Sequence, residues 1–304
     1  MIEARIKLVV IGGPTGSGKS GLAVRLAEEI GAEIVNADSM QVYRYLDIGT
    51  AKPTREELDR VPHHLIGFVS PEVNFTASDF RREAAAVIED IVARGKKVIV
   101  VGGTGLYLRA LVEGLVDSPK ADETLRRELE ALSGEELVCR LAEVDPESAS
   151  RLHRNDRVRL VRALEVYHQT GRPVSALRTE HGFSGEHYDT LKIAIKVERE
   201  ALYRRLDQRV DTMLESGLEQ EVRSLLSRGF SRELKSMRSI GYKEMCAYIA
   251  GEMGLEEATR LMKRDTRHYA KRQLTWFKRD NEIYWLEYPE SFATIHQHVI
   301  EFFA

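Results

Sequence analysis

The stretch that decides the fold reads Gly13-Pro14-Thr15-Gly16-Ser17-Gly18-Lys19-Ser20, which matches the pattern G-x-x-x-x-G-K-[ST] in full. A short apolar, β-branched run precedes it at Ile6–Ile11, and helical periodicity follows at Lys19–Ile30. In this strand–loop–helix setting the motif predicts a P-loop, whose backbone N–H groups surround phosphate oxygens at the positive end of a helix. Lys19 supplies a charge for the terminal phosphates, and the Ser20 hydroxyl is a ligand for Mg²⁺. The sequence therefore predicts a bound di- or triphosphate.

The pattern continues outward from the motif as strands that alternate with helices. The further predicted strands are Ala32–Ala37, His64–Val69, Lys97–Val101, Leu191–Val197 and Ile283–Leu286. An amphipathic helix is predicted at Asp79–Arg94, with Thr76 and Ser78 as candidate N-caps. This alternation predicts an α/β fold, with a P-loop NTPase-like parallel sheet and flanking helices.

Between Pro119 and Asp189 the strand pattern is missing. Helices are predicted at Glu123–Leu132, Gly134–Val144 and Asp156–Thr170. We therefore predict a catalytic core from residues 1–118 and 191–304, with an inserted all-helical domain at residues 119–190.

Composition narrows the class of protein. The chain has 304 residues, of which 43% are hydrophobic and 31% charged, as in a globular protein with a full core. Its two cysteines are too few for a disulfide scaffold or a cysteine-rich zinc site. We expect a cytoplasmic protein without a membrane span, because no apolar run reaches 18 residues and the first residues form a strand pattern rather than a signal peptide.

The formal net charge of −3 conceals two basic stretches. Residues 151–178 hold seven basic and two acidic side chains, and residues 260–279 hold eight and one. Each stretch alone is equally well explained as a solvated helix face. Two of them together favour nucleic acid as a partner.

Two more loops are predicted at the carboxyl ends of strands, the edge where open parallel sheets bind ligands. They are Asn36–Tyr43, which contains Asp38, and Gly102–Tyr107. ATPases and GTPases usually carry a metal-binding acid at the end of a second apolar strand. Lys97–Val101 ends without one, and Ala32–Ala37 is followed by Asp38. Asp38 thus either completes a metal site or acts on a substrate.

Six motifs, spread in order over nearly the whole chain, resemble the bacterial tRNA dimethylallyltransferase (tRNA isopentenyltransferase) family. They are GPTGSGKS at Gly13–Ser20, NADSMQVYR at Asn36–Arg44, GGTGLY at Gly102–Tyr107, NDRVRLVRALEVY at Asn155–Tyr167, MRSIGYKE at Met237–Glu244 and AKRQLTWFKR at Ala270–Arg279. One departure is Gly16, where the family usually has Ala.

The resemblance implies transfer of a dimethylallyl group from dimethylallyl diphosphate to N6 of the adenosine 3′ of the anticodon (tRNA position 37), with Mg²⁺ assisting. The P-loop would then hold the diphosphate of the donor instead of ATP. The residues expected around that diphosphate are Gly13, Thr15, Gly16, Ser17, Gly18, Lys19 and Ser20, with Ser20 on Mg²⁺.

Asp38 is the expected base, because an adenine amino group must lose a proton as it attacks. Helix capping or metal support is the alternative for Asp38. By family position Thr104 would hydrogen-bond the bridging oxygen or the substrate, and Arg209 would reach the diphosphate. The alternatives are a helix N-cap for Thr104 and a surface salt bridge for Arg209. Together with Lys19 these are the expected catalytic residues.

The expected tRNA contacts come from four segments. Asp38, Ser39, Met40, Gln41 and Thr104 would meet the extruded base, where a Gln amide can pair with an adenine edge. Arg126, Val158, Arg159, Leu160, Val161 and Arg162 would bind the anticodon stem. Arg238, Ser239, Ile240, Gly241, Tyr242 and Lys243 form the second RNA segment of the family, and Arg264, Arg267, Lys271 and Arg272 are further candidate cations. A position in the core is at least as well supported as a position at the site for Tyr43, Trp276 and Phe277. The spacing of metal ligands is not found for His63, His64 and His268.

Three other functions compete with this one. A P-loop kinase or ATPase explains Lys19 and Ser20 but leaves the basic insertion unused. A non-catalytic RNA-binding regulator needs no complete P-loop. An enzyme that prenylates free adenine nucleotides needs no domain for an RNA stem. We expect the chain to act as a monomer.

Overall fold

The computed structural model describes residues 5–116, 119–181 and 187–304. They form two compact units. One comprises the chain up to Val112 and from Glu186 onward, and the other comprises Glu113–Gly185.

The larger unit is built on a six-stranded parallel sheet in the order β3-β2-β4-β1-β5-β6. The strands are β1 (Ile6–Gly12), β2 (Ala32–Asn36), β3 (His63–His64), β4 (Lys97–Val101), β5 (Tyr188–Ile195) and β6 (Tyr284–Leu286). Neighbouring residues of β1 point to opposite faces, and both faces are buried. Leu8 and Val10 belong to one apolar core, and Val9 and Ile11 to another. This explains why the strands read as continuous apolar runs instead of alternating ones.

Helices cover both faces of the sheet. They are α1 (Lys19–Ile30), α2 (Arg55–Arg60), α3 (Ala77–Ala93), α4 (Gly105–Val112), α10 (Arg199–Glu215), α11 (Leu218–Ser227), α12 (Tyr242–Ile249), α13 (Leu255–Phe277) and α14 (Phe292–Phe303). Local sequence sets several of their ends. Gly31 stops α1 in the left-handed conformation, and Thr76 begins α3 through a capping box with Asp79.

The smaller unit is helical. Its helices are α5 (Glu123–Glu130), α6 (Gly134–Val144), α7 (Pro146–Arg151), α8 (Arg157–Thr170) and α9 (Val174–His181). It has its own apolar core, in which leucines of α5 and α6 pack against α8. Ser133 and Glu136 form the predicted capping box at the start of α6.

The predicted α/β architecture with a parallel sheet is confirmed, but two strands were wrong in extent. The strand predicted at His64–Val69 is observed only at His63–His64. Leu65 and Gly67 adopt left-handed backbone conformations that end the extended chain. Val69 makes an isolated bridge with Tyr43. The strand predicted at Leu191–Val197 is Tyr188–Ile195, since pairing with β1 begins at Tyr188.

Internal contacts define the helical unit as residues 113–185. The sequence predicted residues 119–190. The predicted boundary at residue 118 lies outside the described residues. Within the described parts of the chain, no helix has both the length and the apolar character needed to cross a membrane.

Candidate active site

The sheet order brings three loops together. β4 lies between β2 and β1, so the loops that follow these strands meet at one edge. Backbone hydrogen bonds join them: the N–H of Ala37 donates to the carbonyl of Val101 (2.7 Å), and the N–H of Gly102 donates to that of Ile11 (3.1 Å). The Asp38 loop, the Gly-Gly-Thr loop and the P-loop therefore form one continuous rim.

The P-loop has the backbone that its glycines predict. Gly13, Gly16 and Gly18 all have positive φ, which lets the loop curl back on itself. The Ser17 side chain is buried inside the curl, and its Oγ has no hydrogen-bond partner among the described residues. The loop fits an anion because its glycines turn the backbone directly before the N-terminus of α1.

Lys19 and Arg209 are two of the cations at this edge that form no carboxylate ion pair with the described residues. Lys19 Nζ donates to the carbonyl of Pro14 at 3.2 Å, and burial lowers its pKa to about 8 against the opposing influence of Asp38. Burial likewise lowers the pKa of Arg209, and within the described chain no acid lies at ion-pair distance from its guanidinium. The surface salt bridge considered for Arg209 is thus not formed. Charges desolvated in this way gain most from an incoming anion.

Asp38 is half-buried and uses one of its oxygens locally. Oδ1 accepts the backbone N–H of Met40 at 2.8 Å and that of Gln41 at 3.3 Å. These bonds fix the carboxylate in one orientation, which leaves Oδ2 to meet a substrate. The helix-capping alternative is wrong, because no helix begins after Asp38 and its local bonds close a turn.

Thr104 is tied to the residue after Asp38. Its Oγ1 accepts the N–H of Ser39 at 2.9 Å and donates to Ser39 Oγ at 3.2 Å, while its carbonyl begins α4. Gln41 is also engaged, because its Nε2 donates to the carbonyls of Thr50 and Ala51. Both N–H donors of this amide are used, so only its Oε1 is left to pair with a base edge.

A cavity of about 940 Å³ opens at this edge. The predicted site residues that line it are Thr15, Gly16, Gly18, Lys19, Ser20, Asp38, Ser39, Met40, Gln41, Arg209, Arg238, Ser239, Ile240, Gly241, Lys243 and Arg272. Sequence reasoning missed other lining residues, including Arg205, Gln208, Met213, Met262, Thr266 and Tyr269. The helical residues among them reach the cavity through the tertiary fold, and no local pattern marks them.

Tyr242 does not fit its predicted role in binding tRNA. Its side chain is fully buried, and its hydroxyl donates to Glu221 Oε1 at 2.6 Å. The ring packs against Gly49, and burial together with Glu221 raises its pKa. Tyr43 is also buried, in agreement with its core alternative. The Tyr242 side chain therefore supports the loop at Gly49 instead of facing a ligand.

In the helical unit the predicted tRNA residues divide into exposed and buried ones. Val158 and Arg159 are exposed, whereas Leu160 and Val161 are buried in the core of that unit. Side-chain contacts of Leu160 and Val161 with RNA are therefore wrong. Helical periodicity explains this, because four consecutive residues cannot share one exposed face.

The arginines of this unit are largely paired. Arg126 and Arg162 donate to the buried carboxylate of Glu165 at 2.9 and 2.6 Å. Arg159 lies 3.3 Å from Asp156 but remains mostly exposed. Arg162 and Arg126 thus neutralise a buried acid, and Arg159 is the more accessible of the three.

Protein atoms at this edge supply only part of the set of ligands that Mg²⁺ requires. Ser20 and Asp38 line the cavity with oxygen ligands. In the described residues there is no cluster of three acidic, His or Cys side chains that could hold a metal. Mg²⁺ commonly takes one or two protein oxygens and completes its shell with phosphates and water, and these residues suit that kind of site.

Comparison with known proteins adds the decisive observation. The family model described as IPP transferase matches residues 41–280. The chain belongs to the IPP transferase family. Its relatives in this family include a tRNA dimethylallyltransferase 1 of Citrifermentans bemidjiense, 69% identical over 99% of both chains. Another is a tRNA dimethylallyltransferase of Geobacter sulfurreducens, 57% identical over 99% of this chain and 98% of the relative.

Solved structures of IPP transferase relatives share the fold. The full-length tRNA isopentenylpyrophosphate transferase from Bacillus halodurans is 40% identical, covers 97% of this chain and 96% of its own, and has a TM-score of 0.73. A eukaryotic dimethylallyltransferase acting on tRNA is 35% identical, covers 93% of this chain and 74% of its own, and has a TM-score of 0.81.

Proposed function

We propose that this enzyme transfers the dimethylallyl group of dimethylallyl diphosphate to N6 of the adenosine 3′-adjacent to the anticodon, at tRNA position 37, and releases diphosphate. As a member of its family the chain is a prenyltransferase that transfers a dimethylallyl group to tRNA. One observation carries the finer proposal: an anion-binding loop with Lys19 and a fixed carboxylate, Asp38, line the same cavity.

Bond breakage places negative charge on the departing diphosphate. The P-loop N–H groups, Lys19 and Arg209 lie where they would stabilise that charge, and desolvation strengthens their effect. Mg²⁺, held by the diphosphate and Ser20, would supply further electrostatic stabilisation. The P-loop thus serves a leaving group, not the hydrolysis of ATP.

Asp38 is the proposed base for the amino proton of adenine. The N6 lone pair is delocalised into the ring, so attack on carbon requires that a proton leave as the new C–N bond forms. Oδ1 is held by two backbone N–H groups, which leaves Oδ2 to accept that proton. Thr104 sits beside this carboxylate through Ser39 and is the proposed hydrogen-bond partner of the bridging oxygen or the substrate.

We propose further that the adenosine is extruded from the anticodon loop into the cavity, where Ser39, Met40 and Gln41 contact it. Unpaired loop nucleotides flip at a cost of only a few kcal/mol. Arg159 and Val158 of the helical unit and Arg238 of the larger unit are exposed and suited to the anticodon stem-loop. The enzyme would act as a monomer in the cytoplasm, where tRNA is processed.

Incubation with labelled dimethylallyl diphosphate and Mg²⁺ tests the proposal. Parallel reactions contain unmodified tRNA, the same tRNA with the target adenosine replaced by guanosine, or AMP, and a further reaction contains tRNA with ATP added. Label in the first reaction alone supports the proposal. Label in AMP alone, or phosphate released from ATP in the absence of label transfer, would overturn it.

A further inference from the structure

One buried amide joins two of the loops at the active-site edge. Gln273 lies on α13 and is 5% exposed. Its Oε1 accepts the backbone N–H of Thr15 in the P-loop at 2.9 Å, and its Nε2 donates to the carbonyl of Gly103 at 2.8 Å. A single side chain, 258 residues from Thr15 in sequence, thus spans from the diphosphate loop to the Gly-Gly-Thr loop.

The backbone at residue 103 leaves room for this amide. A Cβ on residue 103 would overlap Gln273 Nε2, so only glycine leaves room for the bond at this position. The bridge also needs a donor and an acceptor on one planar group, since one end meets an N–H and the other a carbonyl. Among side chains of this length, only Gln provides both at neutral pH.

The two loops carry different parts of the proposed reaction. Thr15 lies between Gly13 and Gly16 in the proposed diphosphate loop, and Thr104 follows Gly103 and hydrogen-bonds Ser39, the neighbour of Asp38. Tyr269, one turn earlier on α13, lies close enough to interact with the side chains of both Thr104 and Gln273. Helix α13 therefore contacts the donor side and the acceptor side of the cavity.

We propose that Gln273 is a positioning residue that sets the spacing between the diphosphate-binding loop and the Thr104–Ser39–Asp38 segment, and so aligns the donor carbon with the adenine nitrogen. This proposal rests on the proposed function. Gln273 contacts neither substrate, because it is 5% exposed and does not line the cavity. It acts instead on the distance between the groups that contact the substrates.

Such a role predicts a loss in turnover with little change in affinity. The Thr15 N–H is directed at Gln273, so removing the amide takes no ligand away from the diphosphate. Transfer between carbon and nitrogen requires the reacting atoms about 3–3.5 Å apart, and a displacement of about 1 Å costs on the order of 100-fold in rate.

Two variants test the bridge. Gln273→Leu keeps the volume and removes both hydrogen bonds. Gln273→Glu keeps the acceptor but regains the donor only when its carboxyl is protonated. Ile295→Val, on the buried face of α14, is the matched control for a general loss of stability. For each variant we would measure kcat, KM for both substrates and Tm on the full chain.

We expect Gln273→Leu to lower kcat by roughly 10- to 100-fold with each KM within about threefold. The kcat of Gln273→Glu, relative to the unmodified enzyme, should rise as the pH falls from about 8 to about 6, because a carboxyl buried beside a carbonyl takes up a proton in this range. The same ratio for Gln273→Leu should not depend on pH.

Four results would each overturn the positioning role. The first two are an unchanged kcat in both variants and an effect confined to KM. The others are a pH-independent kcat ratio for Gln273→Glu and an equal loss of kcat in Ile295→Val at similar Tm. If the unmodified enzyme itself transfers no label to tRNA, the proposed function fails instead. The two failures are therefore distinguishable. If Gln273→Leu does not fold, the pH profile of Gln273→Glu decides the question.

Discussion

Two cations of the sheet edge and two of the helical unit differ in what surrounds them. Lys19 and Arg209 are desolvated and have no carboxylate ion pair in the described residues, and burial lowers both pKa values. Arg126 and Arg162 of the helical unit donate to the buried Glu165. The first pair gains stabilisation from a bound anion, while the second already stabilises the fold. A count of positive charges along the sequence does not distinguish the two cases.

The largest expected effect concerns Asp38, the proposed base, which interacts electrostatically with both Lys19 and Arg209. Asp38→Asn preserves an oxygen for the N–H groups of Met40 and Gln41 but cannot accept a proton. We expect kcat to fall by about 10²- to 10⁴-fold while tRNA binding is retained, as measured by single-turnover transfer and a filter-binding titration. Asp38→Ala, which also loses the local bonds, serves as the comparison. Near-normal kcat in Asp38→Asn would remove the base from the mechanism.

The desolvated Lys19 gives the sheet edge a pH dependence in the alkaline range. Its pKa is about 8, so the free enzyme loses this positive charge as the pH rises through that value. We therefore expect kcat/KM for the diphosphate donor to fall above pH 8, because kcat/KM reports groups of the free enzyme. Lys19→Arg, which stays charged, should abolish this decline even at lower activity. A decline that persists in Lys19→Arg would assign it to another group.

Arg209 offers a second test of the unpaired cations. Arg209→Gln removes the charge without creating an unpaired acid, because no carboxylate is bonded to it. We expect KM for the donor to rise by roughly 10- to 100-fold, in line with a lost charged hydrogen bond of about 1.5–3 kcal/mol. Tm should change little. A large drop in Tm with unchanged KM would give Arg209 a structural role like that of Arg162.

Within the helical unit, replacing Arg159 should affect tRNA binding, whereas replacing Arg162 should affect stability. Arg159→Gln should weaken tRNA binding and reduce the slope of log K against log salt by about 1, since an exposed arginine neutralises one phosphate. Arg162→Gln should instead lower the free energy of unfolding of this unit by about 1–3 kcal/mol, because Glu165 is buried and loses a partner. An identical salt slope for both variants would contradict this division.

The smallest effect is expected at Tyr242. Tyr242→Phe removes one hydrogen bond to Glu221, whose carboxylate also accepts backbone N–H groups of Asp47, Ile48 and Gly49. We expect a loss of about 0.5–1.5 kcal/mol in denaturant unfolding and unchanged affinity for tRNA. Weaker tRNA binding without lost stability would restore Tyr242 to the RNA interface.

Much of the core could be predicted from the sequence because its signals are local. Lys19–Ile30 and Lys97–Val101 have the predicted bounds, since apolar periodicity and flanking glycines are read over a few neighbouring residues. The end of β3 escaped prediction because Leu65 adopts a conformation that its residue type does not signal. The extent of β5 escaped for a different reason, because its register is set by pairing with the distant strand β1.

By itself, the sequence determined the anion-binding loop, the parallel α/β core and the presence of a helical insertion, because short-range patterns of glycine, charge and hydrophobicity encode each of them. Only the tertiary structure decided which side chains share the cavity and which arginines are already paired. Both depend on the sheet order β3-β2-β4-β1-β5-β6 and on helix packing, which bring together residues as distant as Thr15 and Gln273. Contacts of this range are fixed by burial and hydrogen-bond satisfaction over the whole fold, and no local stretch of sequence encodes them.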